Sequence, residues 1–404
     1  MHLNETTYKI NFPAVRDWWT NHRTSLLVVA IGIMTILAIL RLKIEFYRLL
    51  WEPSQNGAID LKILHTLVHQ WFAGQPVYEM LQSAVHPPIT YAMLWPFLGW
   101  LDVTQARWLW AVTSVIMLAW LAYILLCEAR SKTPIERIFL VVLLLSMYPT
   151  SITIGNGQVI LHLLPPLLTG IILLNRRQAG WCGDLSVSFL LLFSLLKPSV
   201  SVPFFWIVLF ASGALRPVVI IAIGYISLTF LALSFQPHEG LINLLYGWME
   251  NSSALAARGG YADLHIWLTS LGLEGWIFPA SLLALAALGI WTYRHRHVDL
   301  WLVLGVSAIV ARIWTYHRVY DDLLILLPMI VLFRITKQGL SVDGSDVLAG
   351  ILLTIAIVAV LAPARLLTFP PPSSWMMATG QVVVWLLMLL FLLNQARRER
   401  ISVV

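Results

Sequence analysis

Charge is what this sequence has least of. Asp, Glu, Lys and Arg make up 11% of its 404 residues, while 59% are hydrophobic; soluble domains carry about 25% charged residues. A soluble globular domain and a disordered chain are both excluded. Cysteine is nearly absent too: Cys127 and Cys182 leave no disulfide framework and no cysteine metal cluster. No P-loop, dinucleotide-binding fingerprint or kinase motif occurs. The formal net charge of +6 is no nucleic-acid signal, because membrane proteins keep excess Lys and Arg in cytoplasmic loops. No nucleic-acid partner is expected.

What is abundant is apolar and aromatic. The 19 Trp, 12 Tyr and 16 Phe suit the aromatic belts of a membrane protein. A spanning helix needs about 20 residues, and Ser25–Leu42 reads as the first span, with no cleavage site after it, so it should stay as an anchor. Further apolar segments are Arg107–Cys127, Ile138–Tyr148, Gln158–Leu174, Trp181–Leu196, Val200–Phe210 and Pro217–Phe235. Trp276–Tyr293, Leu300–Val310, Leu323–Phe333, Val347–Leu361 and Trp375–Leu393 complete the set. The expected fold class is all-α, a polytopic helical bundle of about twelve spans. Its parts are a cytoplasmic segment 1–24, a transmembrane domain 25–394 with a first outer loop at 43–106, and a cytoplasmic tail 395–404.

Basic clusters fall at Arg130/Lys132/Arg137, Arg176/Arg177, Arg216, Arg294/Arg296, Arg334/Lys337 and Arg397/Arg398/Arg400, with Lys9, Arg16 and Arg23 near the start. The positive-inside rule puts them all in the cytoplasm. Alternation then works if Pro87–Leu101, with its three prolines, is juxtamembrane or re-entrant rather than a full crossing. The polar residues that no loop explains collect on the outer side.

Within the first outer loop, residues 59–72 have helical spacing: Ile63, Leu64, Leu67, Val68, Trp71 and Phe72 for lipid or core, and Lys62, His65, Thr66 and His69 opposite. This is an amphipathic juxtamembrane helix. Asp60 stands at its start, either as a helix cap or as a proton acceptor. His65 and His69 have the spacing of a zinc pair but lack the intervening Glu and a third ligand; no metal site is expected. His86–Pro87–Pro88 marks where the chain enters the membrane region. Asn156–Gly157–Gln158 opens a span, Gly permitting a tight turn and Gln158 offering an amide that donates and accepts. Lys197–Pro198 puts a cation on the outer side, where it either snorkels to lipid or meets an anion. In Tyr316–His317–Arg318–Val319–Tyr320–Asp321–Asp322, His317 and Arg318 suit a phosphate, with the Asp residues orienting them or capping a helix. Asn251–Ser252–Ser253 fits the glycosylation acceptor pattern, and Arg258 and Tyr261 add polar atoms.

One carboxylate, an amide, a Lys and a His-Arg pair suit sugar transfer from a lipid phosphate: the carboxylate takes the acceptor proton and the cations stabilise the leaving phosphate. The chain resembles the GT-C superfamily, and within it glycosyltransferase family 87, polyprenol-phosphate-dependent mannosyl- and arabinofuranosyltransferases. The resemblance is carried by Asp60, by Gly74–Gln75–Pro76–Val77–Tyr78 and His86–Pro87–Pro88, by Gly157–Gln158–Val159 and Lys197–Pro198, and by Tyr316–Asp321, in that order. It implies Asp60 as base; His317, Arg318 and Lys197 on the donor phosphate; and Tyr78, His86, Gln158, Tyr320 and Asp321 as further substrate contacts. It also implies a polyprenyl-phosphate sugar donor (mannose or a pentofuranose), a lipid or glycan acceptor, no cofactor, and a site on the outer face of a bacterial inner membrane. One departure stands out: Leu61–Lys62 follows Asp60, where the family more often has an aromatic. A single phosphate carries less charge than a pyrophosphate, so no divalent metal is required of this chemistry. Competing readings are a lipid or solute transporter, which would show inverted repeats, and a scaffold of the same fold without activity.

Overall fold

The computed structural model describes residues 13–176, 180–237, 240–257, 263–337, 344–362, 370 and 372–403. Lys9, Arg177, Arg258, Tyr261 and most of the segment 364–374 lie outside the described residues. Among those described, the chain is helical without a strand. In order the helices are α1 (Pro13–Leu50), α2 (Ile59–Phe72), α3 (Val77–Met80), α4 (Pro88–Leu98), α5 (Val103–Glu128) and α6 (Pro134–Ser146). Next are α7 (Tyr148–Asn156), α8 (Ile160–Arg176), α9 (Trp181–Ser194), α10 (Pro198–Phe210), α11 (Leu215–Leu233) and α12 (Leu241–Ala257). The last are α13 (Leu264–Ser270), α14 (Ile277–Arg294), α15 (Leu300–Ile313), α16 (Leu326–Thr336), α17 (Ser345–Leu361) and α18 (Ser373–Val403). Short 3-10 turns cover Glu274–Trp276 and Val319–Ile325.

Among the described residues, five stretches are long and apolar enough to cross a membrane: Thr24–Leu50, Val103–Glu128, Leu215–Leu233, Glu274–Arg294 and Met376–Ile401. Helices α6 and α7 are apolar enough only as a pair, bent by 47°, which is the form of a broken span or a re-entrant loop. The bend falls at Met147, which leaves the helical conformation before Pro149 opens the next helix without an N–H. Arg41 donates to the freed carbonyl of Ser146 at 2.5 Å and to that of Leu361 at 2.6 Å. The remaining apolar segments form shorter helices packed among these, so hydrophobic length alone accounts for fewer full spans than twelve. The exposed face of α1, with Val28, Val29, Ile33 and Ile36, is a lipid-facing surface. The first span continues to Leu50 rather than ending at Leu42, which shortens the loop that follows it. α4 has 11 residues, a reach of about 16 Å at 1.5 Å per residue, roughly half the hydrocarbon thickness. It packs against α2 and α11.

The bundle has two chemically distinct ends. At one, Asp299 pairs with Arg130 at 3.0 Å and Arg334 at 2.8 Å, Glu128 with Arg176 at 2.9 Å, and Glu136 with Lys337. Basic positions scattered through the sequence thus share one end of the molecule. The other end carries Asp60, Lys197 and the 313–322 segment.

Two glycines bind α7 into this second end. A Cβ on Gly155 would sit 1.8 Å from Oε2 of Glu45 and 3.2 Å from Nη1 of Arg48, so it would displace the side chains that α1 lays against α7. Gly157 has φ +70° and closes α7 as a Schellman motif: its N–H meets the Ile154 carbonyl at 3.0 Å, and the Gln158 N–H meets Thr153 at 2.9 Å. A Cβ there would fall 2.5 Å from that of Leu61.

Candidate active site

Asp60 lies in the first turn of α2 but does not cap it. The cap position is Ala58, in a left-handed conformation (φ 51°), with no side-chain cap bond. Its N–H instead donates to the Gly155 carbonyl at 3.1 Å. Asp60 is thereby free of helix capping, and its carboxylate faces the end of α7. It is half-buried, and its Oδ2 is buried with no hydrogen-bond donor. Burial raises the carboxyl above its ordinary range. The amides of Gln158 and Asn156 and the charges of Lys197 and Arg318 act in the opposite direction without cancelling it.

Lys197 is the residue before the proline that opens α10, which holds it at φ −128°, ψ 84°, outside the helical region. Its ammonium turns inward rather than to lipid. It donates to Oδ1 of Asp321 at 2.7 Å and lies 4.9 Å from the centre of the Tyr320 ring. The anion that a lysine at the end of an apolar helix requires is therefore supplied by the protein.

His317 is fully buried. Its Nδ1 lies 3.0 Å from Oδ2 of Asp321, which also accepts the Arg318 backbone N–H at 3.1 Å. Burial opposes ionisation of Asp321, but Lys197 and His317 outweigh it and hold the carboxyl below its usual range. An ionised carboxylate only accepts, so Nδ1 carries the hydrogen. One ring nitrogen of His317 is thus committed, and Nε2 is left buried without a partner. The sequence-based expectation that either nitrogen is available narrows to Nε2. Burial also lowers His317 below the ordinary imidazole value, against the pull of Asp321. The His317 backbone N–H meets Oδ2 of Asp263 at 3.3 Å, and Oδ1 of Asp263 caps α13.

Arg318 bonds the Tyr316 hydroxyl through Nε. Tyr320 lies within electrostatic reach of Asp60, and burial raises its phenol well above the ordinary value. His86 is pushed down to about 4 by burial and by Lys197, and is neutral at physiological pH. Tyr78 plays a different part. Its hydroxyl is spent on the His86 backbone carbonyl at 2.7 Å, and its ring packs on Trp71 and Tyr91. It holds the loop that carries His86. Asp60, Gln158, Lys197, His317, Arg318, Tyr320, Asp321 and His86 form one electrostatically connected neighbourhood. Compared with known proteins, the chain matches no family model, no curated protein and no solved structure.

Several sequence expectations are corrected by the packing. The polar side of α2 keeps Thr66 and His69 exposed but is partly tied down: His65 is buried and its Nε2 lies 2.9 Å from the Leu101 carbonyl, while Nε2 of His69 lies 3.1 Å from that of Leu98. These histidines tie α2 to the end of α4. Asn251 lies inside α12 rather than in a loop. Its side-chain N–H donates to the Tyr78 carbonyl at 2.8 Å, so the atom a glycan would need is engaged in a contact between helix and loop. Asp322 neither orients Arg318 nor caps a helix. It is fully buried, pairs with Arg312 and accepts the Tyr148 hydroxyl, which Gln381 also contacts at 2.9 Å.

Sequence reasoning passed over Arg48, Asp263, Tyr148 and Arg312. For Arg312 the signal was present, as a guanidinium inside an apolar run demands a partner.

Proposed function

We propose that this chain is a membrane glycosyltransferase that moves one sugar from a polyprenyl-phosphate donor to a hydroxyl of a lipid or glycan acceptor. The observation that carries the reading is the Asp60 carboxylate, with an unpartnered buried oxygen, at the same end of the bundle as Lys197, Arg318 and the free Nε2 of His317. In the reaction the acceptor oxygen gives its proton to Asp60 and bonds to the anomeric carbon. The bond from that carbon to the phosphate oxygen breaks, and the departing phosphate gains negative charge. General base assistance of this kind is worth about 10²–10⁴-fold, and fixed positive charge at the leaving group lowers the barrier further. Lys197 is balanced by Asp321 within the protein, which leaves Nε2 of His317 as the buried nitrogen still open to a phosphate oxygen. The positive-inside rule assigns the Asp299 end to the cytoplasm and this site to the outer face.

The test is transfer of radiolabelled sugar from mannosyl- and arabinofuranosyl-phosphate polyprenols by the purified protein in lipid. Turnover that survives EDTA and is lost in Asp60→Asn is the expected result. The reading fails if neither donor is consumed, or if Asp60→Asn transfers sugar at the wild-type rate. Abolition by EDTA with rescue by magnesium or manganese overturns the metal-free form of the mechanism.

A further inference from the structure

At the Asp299 end, a cleft of about 380 Å3 opens between the C-terminal turn of α14 and the tail of α18, lined among others by Arg294, His295, Arg296, His297 and Arg400. We infer that this cleft binds the phosphodiester headgroup of an anionic phospholipid. The inference depends on α14 crossing the membrane and not on the transfer reaction proposed above.

Charge balance points to an anion. Several cations at this end meet carboxylates: Arg130 and Arg334 share Asp299, Arg176 has Glu128, and Lys337 has Glu136. No carboxylate lines this cleft. Among the described residues, none lies within ion-pair distance of Arg294, Arg296 or Arg400. The C-terminal ends of α14 and α18 supply roughly half a negative charge each, against three guanidinium groups. Topology alone calls for basic residues on one side of a membrane. It does not call for three of them to converge on one cleft at the cost of mutual repulsion.

The cleft is also held in shape. The Arg296 guanidinium lies 4.3 Å from the centre of the Tyr293 ring, and its Nη1 donates to the Tyr293 carbonyl at 3.0 Å. The His295 ring stacks on Trp291 at 4.7 Å, with Nδ1 2.8 Å from the Trp291 carbonyl. Guanidinium forks match phosphate oxygens in pairs.

A lipid rather than a soluble phosphate is favoured by what lies alongside. The cleft sits at the end of a spanning helix whose Leu282, Leu283 and Ile290 side chains are exposed. That apolar face is the surface on which acyl chains lie once the headgroup is seated. Basic clefts between helices at the membrane surface are a recurring way of holding anionic lipids.

The experiment uses the full chain, delipidated in detergent and titrated under native mass spectrometry. The probes are phosphatidylglycerol, phosphatidylcholine with the same acyl chains, and water-soluble glycerol phosphate. One variant combines Arg294→Gln, Arg296→Gln and Arg400→Gln. A control removes three other basic side chains from the same end, as Lys132→Gln, Arg137→Gln and Arg216→Gln. The expected result is wild-type preference for phosphatidylglycerol, lost on the order of 100-fold in the first variant and largely kept in the control. Equal losses in the two variants would show unspecific charge attraction and overturn the site, as would equal binding of phosphatidylcholine by the wild type. Glycerol phosphate binding as tightly as phosphatidylglycerol would overturn the lipid assignment. The cleft variant must elute as the wild type does on size exclusion. If it does not, Arg400→Gln alone, exposed on the tail of α18, takes its place with a proportionately smaller loss.

Discussion

Arg48 holds the side-chain oxygen of Asn156 at 2.9 Å. An amide whose oxygen is fixed by a guanidinium must present its NH2 group on the other side, where Asp60 lies. Arg48 is itself held by Glu45 at 2.5 Å and by the Asn56 carbonyl at 3.1 Å. An ion pair at the end of the first helix thus sets which face of an amide meets the candidate base. Arg48 acts through Asn156 and is a positioning residue.

Asn156→Ala removes one of the groups that favours the charged form of Asp60, so the already raised pKa should rise further. Arg48→Met should act in the same direction by letting the amide turn. Dicyclohexylcarbodiimide reacts with protonated carboxyl groups in apolar surroundings. Its labelling of the Asp60 peptide, followed by mass spectrometry against pH, should move its midpoint upward in both variants. An unchanged midpoint in Asn156→Ala separates Arg48 from Asp60, whatever the activity of the protein proves to be.

Asp60→Asn should lose turnover by about 10²–10⁴-fold without losing thermal stability. The folded-state pKa of Asp60 is raised, so folding holds the proton more tightly than the unfolded chain does. That contribution is present below the unfolded pKa and lost as pH rises through the folded one. At neutral pH the ionised carboxylate therefore costs stability, and a neutral amide does not. Scanning fluorimetry that shows a clearly lower melting temperature for Asp60→Asn would reassign the carboxylate to a structural role. For the wild type, the acid limb of the pH–rate profile should lie above the ordinary carboxylate range.

Donor binding should take up a proton. His317 is neutral when free, because burial lowers its pKa. With Nδ1 committed to Asp321, Nε2 can donate to a phosphate only as imidazolium. A phosphate oxygen beside Nε2 raises the pKa again, and Asp321 stabilises the cation. Titration calorimetry with a donor analogue in two buffers of different ionisation enthalpy should give different heats near neutral pH. Asp321→Asn should abolish the difference. Heats independent of buffer in the wild type would mean that His317 does not become charged.

Gly157→Ala should destabilise the protein by at least about 1–2 kcal/mol, the cost of a left-handed conformation for a residue with a Cβ. The overlap with Leu61 adds to it, because that Cβ would stand 2.5 Å away. Since Gly157 seats α7 against α2, the strain falls next to Asp60. Thermal unfolding in detergent reads the first effect, and the carbodiimide profile of Asp60 reads the second. A melting temperature equal to wild type would remove this role from Gly157.

The helices were legible in the sequence because membrane burial is a local demand. A backbone in hydrocarbon must satisfy its own hydrogen bonds, so each apolar run announces its own helix. Pro198 stood where a helix begins and Gly157 where the chain makes a tight turn, for the same local reason. The roster of candidate residues was legible as well, since ionisable groups among apolar ones need a partner. Partners were not. Asp322 looked like a companion of Arg318, yet it turns into the core toward Arg312 and Tyr148. Asn251 looked like an exposed acceptor and is a clasp on the Tyr78 loop.

The sequence by itself determined that this is a helical membrane protein, and roughly where its helices run. It also determined that its basic residues recur at intervals that bring many of them to one end. Only the tertiary structure decided which charges meet. Lys197 finds Asp321 across 124 positions of chain, and Arg48 finds Asn156 across 108. No periodicity carries information over such distances. The pairings are settled by the packing of one helix end against another, and at Gly157 by the absence of a single carbon atom.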